Sequence, residues 1–511
     1  KQFDKAAEQI EAATRAGVPD DLQFLLLKAE TASGRNDKVA ARRFLDMAIA
    51  REPNAPIGFY KRAEFLVGQM QGTPRAKGPD DPVLQPLRDA GTDLESALRL
   101  ESRLVMARRL LSRVRAALGN LDDATKLLQD GLSLNPDDGA LRIDMVELLS
   151  NQGNIPAALG HLEEAIRRSP DPQWKMMAGD LLRKQGDIDR AADYYGRAWE
   201  TTRTPPLARA YCDTLMAQAK PDLAKMKGIL ADPGAQTEKW PTLLTMRAKI
   251  AARENRWSDA EADLRTAFVM LDTANAAAAG GYFQDAGEMY AGKIPAFIAL
   301  LESMKPATGF TDPFRAQLIR FKLSDPTLEA DGLKDLDGLI AVNTNQAAVL
   351  SAVGLLGDLM YAQKRYPLAV EVWTRYLRLQ PDDPDKLNNM AYALSKHMGK
   401  HDQALPMATK ACSLVGNNPN FLDTLAVIQL ALAQVGEAES SLMRALDLAK
   451  VPSQQVPVYI HLAQVAMAKG NRTKANEYML QADRLMGPDA RLKAQFQEEF
   501  SDVRRRLDGG R

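Results

Sequence analysis

The side chains best suited to metal binding or nucleophilic chemistry are few, namely His161, His397, His401, His461, Cys212 and Cys412. His397 and His401 are four residues apart, a spacing that lets two imidazoles on one helix share a metal ion. The residues between them, Met398-Gly399-Lys400, read as a turn, and no third ligand is close in the sequence. We therefore expect turn histidines that pack on the next helix, and a solvated surface position for His161.

The two cysteines lie 200 residues apart, without a CxxC pair or metal-ligand spacing around either. Both are expected to be small buried side chains within helices. The sequence also lacks GxxxxGKS/T, GxGxxG after a strand, GxSxG and HExxH, which are motifs for phosphate, dinucleotide, nucleophile and zinc chemistry. We therefore predict a non-catalytic protein with no cofactor and no metal site.

A dense basic stretch is the main candidate for binding, and it consists of Arg103, Arg108, Arg109, Arg113 and Arg115. Arg109 and Arg113 are four residues apart, so on a helix they share one face. Two interpretations remain open. The stretch is either a solvated face neutralised by Asp122, Asp123 and Glu101, or a patch that binds an acidic peptide or a partner loop.

An internal repeat predicts the elements that position these side chains. Five residues recur 34 positions later, as Gly119, Ala124, Leu128, Gly131 and Pro136 followed by Gly153, Ala158, Leu162, Ala165 and Pro170. A small, a large apolar and another small residue at steps of four and three lie on one helical face. Small residues let two helices approach closely, while the glycine turn precedes the helix and the proline follows its end. Later copies contain Ala191, Ala260, Ala369, Ala404, Ala438 and Ala475.

This pattern resembles the tetratricopeptide repeat, a helix–turn–helix unit of 34 residues. The resemblance implies an all-α fold, a right-handed superhelical solenoid of about fourteen hairpins. It is strong over 105–200 and 355–487 and weaker in the centre of the chain. The family binds peptides, loops or helices of partner proteins in the concave groove of the array, so the resemblance implies partners of this kind.

The repeat divides the chain into four predicted segments. These are N-terminal repeats at 1–204, irregular repeat-like hairpins at 205–349, C-terminal repeats at 350–487 and a capping helix at 488–511. The step from Ala40 to Ala90 is 50 residues, which predicts a loop insertion at 68–86. Residues 1–15 read as the second helix of a hairpin, and we expect its partner helix upstream.

Two groove arrangements known in the family are not expected here. Repeats that clamp a chaperone's C-terminal carboxylate pair Lys and Asn with Lys and Arg on a later helix. Asn388 and Asn389 fall on a suitable helix, but the next one offers Asp423 and Thr424 instead of cations. The asparagine ladder of nucleocytoplasmic O-linked glycosyltransferases is also missing, because that position reads Asp144, Met177, Asn389 and Thr424. Asn389 either holds a peptide backbone or makes a structural hydrogen bond.

Composition limits the classes of partner. Lys plus Arg and Asp plus Glu are both 66 in 511 residues, so the formal net charge is zero. This excludes a uniform positive field for nucleic acid, and no run reaches the roughly 18 apolar residues of a transmembrane helix. We therefore predict protein or peptide partners, membership of a multiprotein complex, no nucleic acid and no membrane span.

Three hypotheses for the function follow. The first is a non-catalytic protein-interaction scaffold. The second is an assembly subunit of a bacterial envelope, secretion or exopolysaccharide machine, because Leu387-Asn-Asn-Met-Ala-Tyr-Ala followed by Leu422-Asp-Thr-Leu-Ala resembles repeats of such proteins. The third is the substrate-recruiting arm of a larger enzyme, such as a glycosyltransferase, with its catalytic domain outside this segment. The compartment stays open between the periplasm or envelope and the cytoplasm.

Overall fold

The computed structural model describes residues 2–70, 81–271, 276–304, 306, 311–342, 347–487 and 490–509. Within these residues the regular elements are helices and no β-strand occurs, which confirms the predicted all-α class. The chain divides into two compact units, Lys1–Thr237 and Glu238–Arg511.

The first unit contains α1 Gln2–Arg15, α2 Leu22–Gly34, α3 Lys38–Arg51, α4 Pro56–Gly68, α5 Gln85–Leu100, α6 Val105–Ala117, α7 Leu121–Leu134, α8 Gly139–Asn151, α9 Ile155–Arg168, α10 Pro172–Lys184, α11 Ile188–Trp199, α12 Pro205–Ala217 and α13 Leu223–Ala231. The second unit contains α14 Pro241–Arg253, α15 Trp257–Val269, α16 Ala276–Met289, α17 Ile294–Glu302, α18 Thr311–Ser324, α19 Glu329–Val342, α20 Ala347–Ala362, α21 Tyr366–Leu379, α22 Pro384–Tyr392, α23 His401–Leu414, α24 Pro419–Ala431, α25 Val435–Leu448, α26 Pro452–Ala468, α27 Arg472–Met486 and α28 Ala490–Asp508.

The helices pack as successive hairpins. From α2 to α27, each even-numbered helix, here called a first helix, packs against the odd-numbered second helix that follows it. First helices also contact the first helix of the next hairpin, as α4 does α6 and α24 does α26. A hairpin that packs on the next hairpin is the arrangement of a repeat solenoid, as the sequence predicts.

The second helices are held by the small–large–small pattern. Ala158, Leu162 and Ala165 on α9 are buried, and the same spacing is buried on α7, α11, α23, α25 and α27. Polar N-caps start these helices, since Asp37 and Asn154 accept backbone N–H groups three residues ahead. In α3 the buried alanine is Ala41 and not the predicted Ala40, which is only partly buried in the first turn.

The two segments predicted to be irregular differ in how far they are described. At the predicted insertion, α4 ends at Gly68, and a 3-10 helix at Pro82–Leu84 leads into α5. Residues 71–80 of that insertion lie outside the described residues. In the centre of the chain, helices α15 to α18 share an aromatic core, in which Phe268 lies 5.0 Å from Phe314 and Tyr290 lies 5.0 Å from Phe297 between ring centroids. The small–large–small pattern remains on α15, but large rings replace it over α16 to α18, which explains why the repeat is weak in that part of the sequence.

Two hairpins share a glycine–aromatic contact that fixes how closely their helices approach. A Cβ at Gly179 on α10 would lie 2.9 Å from the ring of Tyr195 on α11, and the Tyr195 hydroxyl donates to Asp180. Gly357 on α20 faces Trp373 on α21 in the same way, and the indole Nε1–H donates to Asp358 at 3.2 Å. A Gly-Asp pair followed by an aromatic residue therefore recurs in both units.

The first helix of one C-terminal hairpin ends in a π-helix, Ala393–His397, directly after α22. Ala369 and Ala404 are 35 residues apart, one more than the 34-residue repeat. A π-helical turn takes up one extra residue without breaking the helix. The insertion therefore sets the orientation of Lys396 and His397 at the end of this helix.

Candidate partner-binding surface

Side chains at one recurring position of the first helices define a common surface in each unit. This register position stands fourteen residues before the small residue that opens the second-helix pattern, and it holds Asp144, Leu355, Thr424 and His461 before Ala158, Ala369, Ala438 and Ala475. We call the surface that the first helices form around this position the first-helix face. Leu355 is 63% exposed there, whereas Asp144, Thr424 and His461 are buried.

In the first unit, Arg109 and Arg113 converge on Asp144. Arg109 Nε lies 2.5 Å from Asp144 Oδ2 and its Nη2 lies 3.1 Å from Oδ1, a two-pronged contact. Arg113 Nη2 donates to the same Oδ1 at 2.7 Å. The Asp144 side chain is 3% exposed and that of Arg113 59%. The hydrogen bonds to Asp144 raise the pKa of Arg109 against the opposing effect of its burial.

The predicted neutralising partners of this stretch are wrong. Asp122 and Asp123 lie in the first turn of α7, and it is Asp144, on the first helix of the next hairpin, that pairs with Arg109 and Arg113. The neighbouring arginines have other roles. Arg108 donates to the Ser102 and Leu127 carbonyls, and Arg115 pairs with Glu95. Four of the five arginines of the basic stretch therefore make structural contacts, and of the two candidates Arg109 and Arg113 it is Arg113 that remains well exposed.

Asn388 and Asn389 lie on α22 and are both partly buried. The Asn388 Oδ1 atom is buried and has no hydrogen-bond partner among the described residues. Asn389 is at the register position, because the π-helical insertion shifts it to fifteen residues before Ala404. The structure thus places Asn389 at the register position of the second unit, with Asn388 next to it, while Arg109 and Arg113 belong to the first unit.

The two closely spaced histidines make separate contacts. His397 stacks on Tyr366 of the preceding second helix, with ring centroids 3.7 Å apart, and its Nε2 lies 3.2 Å from the Tyr361 hydroxyl. His401 is the first residue of α23, and its Nδ1 lies 2.9 Å from Ser395 Oγ. His397 therefore packs on the preceding hairpin, not on the next helix as predicted, because the π-helix carries it there.

A buried ionic cluster in the second unit, here called the His461 cluster, was not predicted from the sequence. His461 Nδ1 on α26 lies 2.7 Å from Asp423 Oδ1 on α24, and His461 Nε2 lies 3.5 Å from Glu499 Oε1 on α28. Glu499 Oε1 also accepts from Lys396 Nζ at 2.7 Å. His461 stands at the register position, and this is the sequence feature that could have indicated the cluster. A comparison restricted to asparagines at that position does not detect it.

The electrostatics of the His461 cluster favour its charged form. Burial alone would lower the pKa of His461, but the carboxylates of Asp423 and Glu499 outweigh burial and raise it to about 10. The hydrogen bond from His461 lowers the pKa of Glu499 to about 2 against the effect of burial. Burial, with the nearby charges of Glu499 and Asp423, raises the pKa of Tyr392 to about 12. Tyr392 therefore borders the cluster.

The remaining chemical candidates are packing residues. Cys212 is fully buried, as predicted, and burial raises the pKa of its thiol to about 12. Cys412 is partly buried against the core, and burial raises its pKa as well. His161 is partly buried beside Arg142 instead of solvated, and burial lowers its pKa.

The described residues contain no group of three or more His, Cys, Asp or Glu side chains placed to hold a metal ion. None of their helices combines the length and apolar character that crossing a bilayer requires.

Comparisons with known proteins agree with the repeat pattern. Tetratricopeptide-repeat models match residues 1–56 and 88–181. Similar solved structures include MamA from residue 41 to its end, from Desulfovibrio magneticus RS-1, at 16% identity over 34% of this chain and 97% of that chain, with a TM-score of 0.28. A tetratricopeptide repeat protein from Parabacteroides merdae is 16% identical over 52% of this chain and 98% of that chain, with a TM-score of 0.31. A structure of Naa15/Naa10 bound to HypK-THB is 13% identical over 94% and 78%, with a TM-score of 0.34. No curated protein matches the sequence.

Proposed function

The chain is a tetratricopeptide-repeat protein, and on this premise we propose that it is a protein-interaction scaffold whose first-helix face binds a peptide, loop or helix of a partner protein. Stacked hairpins present an extended surface on which a few side chains per repeat select the partner. The scaffold role needs no catalytic group.

The exposed position of Arg113 supports a specific contact between the first unit and a partner. Its side chain is 59% exposed, and it uses Nη2 to reach the buried Asp144. Arg109 already makes a two-pronged contact with the same carboxylate, so Arg113 shares that carboxylate through one nitrogen only. A guanidinium held in place and still exposed suits a carboxylate on a partner. We therefore propose that Arg113 binds an acidic segment.

The test compares Arg113→Glu with the parent chain. The full chain is used to capture partners, and the affinity for a purified partner is then measured at several salt concentrations. We expect Arg113→Glu to weaken binding about tenfold or more and to reduce its salt dependence, because an attraction becomes a repulsion.

Lys126→Glu is the matched control, since Lys126 is exposed on the second helix α7 and the charge change is the same. Its affinity should stay close to that of the parent chain. Equal affinity of Arg113→Glu and the parent at every salt concentration would contradict the proposed contact.

The envelope-machine and enzyme-arm hypotheses are narrower versions of this function. The first predicts that captured partners are subunits of an export or secretion assembly. The second predicts a captured substrate that a catalytic domain in the same polypeptide modifies. Turnover of a substrate by the purified chain alone would contradict the scaffold function itself.

A further inference from the structure

The last helix, α28, docks through an apolar side. Leu492, Val503 and Leu507 are buried in a core that they share with α26 and α27, and Phe496 and Phe500 are partly buried against it. Charged residues, among them Glu498, cover the exposed side. An amphipathic helix with apolar residues at helical spacing is a form in which proteins insert helices into the grooves of partners.

Through Glu499, α28 contacts a hairpin other than the one on which it packs. The core contacts join α28 to α26 and α27, as for a further first helix in the array. Glu499, however, also bonds to Lys396, which follows α22, two first helices before α26. The α28 helix therefore meets the first-helix face of the C-terminal hairpins as well as the end of the stack.

The surface that receives Glu499 is matched to a carboxylate. His461 is almost fully buried, and Lys396 is 40% exposed. The groups that face Glu499 are Lys396, His461 and, more distantly, Asp423 and Tyr392. Lys396 and protonated His461 bring two positive charges against the single carboxylate of Asp423. The C-terminal hairpins themselves therefore leave one positive charge, which Glu499 balances.

We propose that Lys396 and His461 form a carboxylate-binding site for an acidic amphipathic helix of a partner protein, and that α28 occupies this site through Glu499 until the partner displaces it. This proposal rests on the proposed function, since it names one class of ligand for the first-helix face. It differs from the Arg113 contact in unit, residues and occupant.

A peptide with the sequence of residues 490–509 tests the site in the full-length chain. The tethered α28 competes at a high effective concentration, so the labelled peptide should bind the parent chain weakly. In Glu499→Gln the tethered helix loses its charged contact while the peptide keeps its own. We expect this variant to bind the peptide about tenfold or more tightly than the parent, in line with the loss of a charge-assisted hydrogen bond.

Three comparisons isolate the carboxylate. Glu498→Gln removes the same charge from the neighbouring exposed residue and should bind the peptide as weakly as the parent. Adding Lys396→Gln to Glu499→Gln should abolish most of the gain. A peptide that carries Gln in place of Glu499 should bind Glu499→Gln about tenfold more weakly than the unmodified peptide does, because it lacks the carboxylate that Lys396 and His461 contact.

Hydrogen exchange shows whether the variant stays folded. In Glu499→Gln we expect faster exchange in α28, with the protection of α26 and α27 retained. The proposal is overturned if the variant binds the peptide no more tightly than Glu498→Gln, if it binds the peptide that lacks Glu499 as tightly as the unmodified peptide, or if α28 exchanges as slowly as in the parent. Such a result would leave the Arg113 contact, tested separately, unaffected.

Discussion

At the scale of single residues, the same pair of positions carries an ionic contact in both units, with the charges reversed. Arg109 stands fifteen residues before Ala124 and pairs with Asp144 of the next hairpin. Asp423 stands fifteen residues before Ala438 and pairs with His461 of the next hairpin. Charged pairs therefore recur between neighbouring hairpins on the first-helix face, and Arg113 and Lys396, which lie beside these pairs, are the residues that we propose for ligand binding.

The His461 cluster should make stability depend on pH. The folded-state pKa of His461 is raised from 6.5 to about 10, so its contribution is fully present below pH 6.5 and is lost as the pH rises through about 10. The folded-state pKa of Glu499 is lowered from 4.5 to about 2, so its contribution is present above pH 4.5 and is lost as the pH falls towards 2. The cluster should therefore stabilise the chain most between about pH 4.5 and 6.5.

Urea unfolding of the parent chain and of His461→Gln checks this dependence, because every other titrating group is common to both. The difference in unfolding free energy should be largest near pH 6 and should shrink steadily towards pH 10. A difference that stays constant over this range would show that His461 is not charged in the folded chain.

The sequence predicts these residues only in part. The spacing of four predicts that Arg109 and Arg113 share a face, and they do. Sequence proximity favours Asp122 and Asp123 as their acidic partners, whereas the hairpin brings the next first helix, and with it Asp144, alongside. The contact between Lys396 and Glu499 joins residues 103 apart, so no local spacing indicates it.

At the scale of helices, close approach of the two helices of a hairpin depends on glycine where the opposing residue is a large ring. Gly179 faces Tyr195 and Gly357 faces Trp373, and in each case the ring's polar group donates to the aspartate next to the glycine. A methyl group at either glycine would have to displace an aromatic ring that is fully buried in the core.

Gly179→Ala and Gly357→Ala should therefore each lower the free energy of unfolding by about 1–3 kcal/mol, as overpacked cores do. Gly160→Ala is the opposite control, because Gly160 lies inside α9 with no atom within 4 Å of an added Cβ. It should raise the free energy by up to about 1 kcal/mol through helix propensity alone. Urea unfolding of the three variants measures both effects, and equal stability of all three would contradict the packing argument.

For the π-helix after α22, the sequence shows that one residue is inserted but not which structure contains it. The 35-residue step between Ala369 and Ala404 shows that one residue is added, but a longer turn would give the same step. The structure places the residue inside the helix, which turns His397 towards Tyr366.

At the scale of the whole molecule, the repeat accounts for the class of fold because each hairpin depends mainly on its neighbours. The small–large–small pattern therefore predicts α7, α9 and α25 directly from their own residues. The pattern is still present on α15 but fails over α16 to α18, where aromatic rings from several helices meet. The net charge of zero likewise does not indicate the charged pairs, because these pairs form only between hairpins.

The most direct test of the proposed function locates the partner on the surface of the chain. A photo-cross-linking amino acid replaces Leu355, which is 63% exposed at the register position of α20, or Val269, which is 75% exposed on the second helix α15 of the same unit. We expect a captured partner to cross-link through position 355 and not through position 269. Cross-linking through position 269 alone would place the partner on the second helices and contradict binding at the first-helix face.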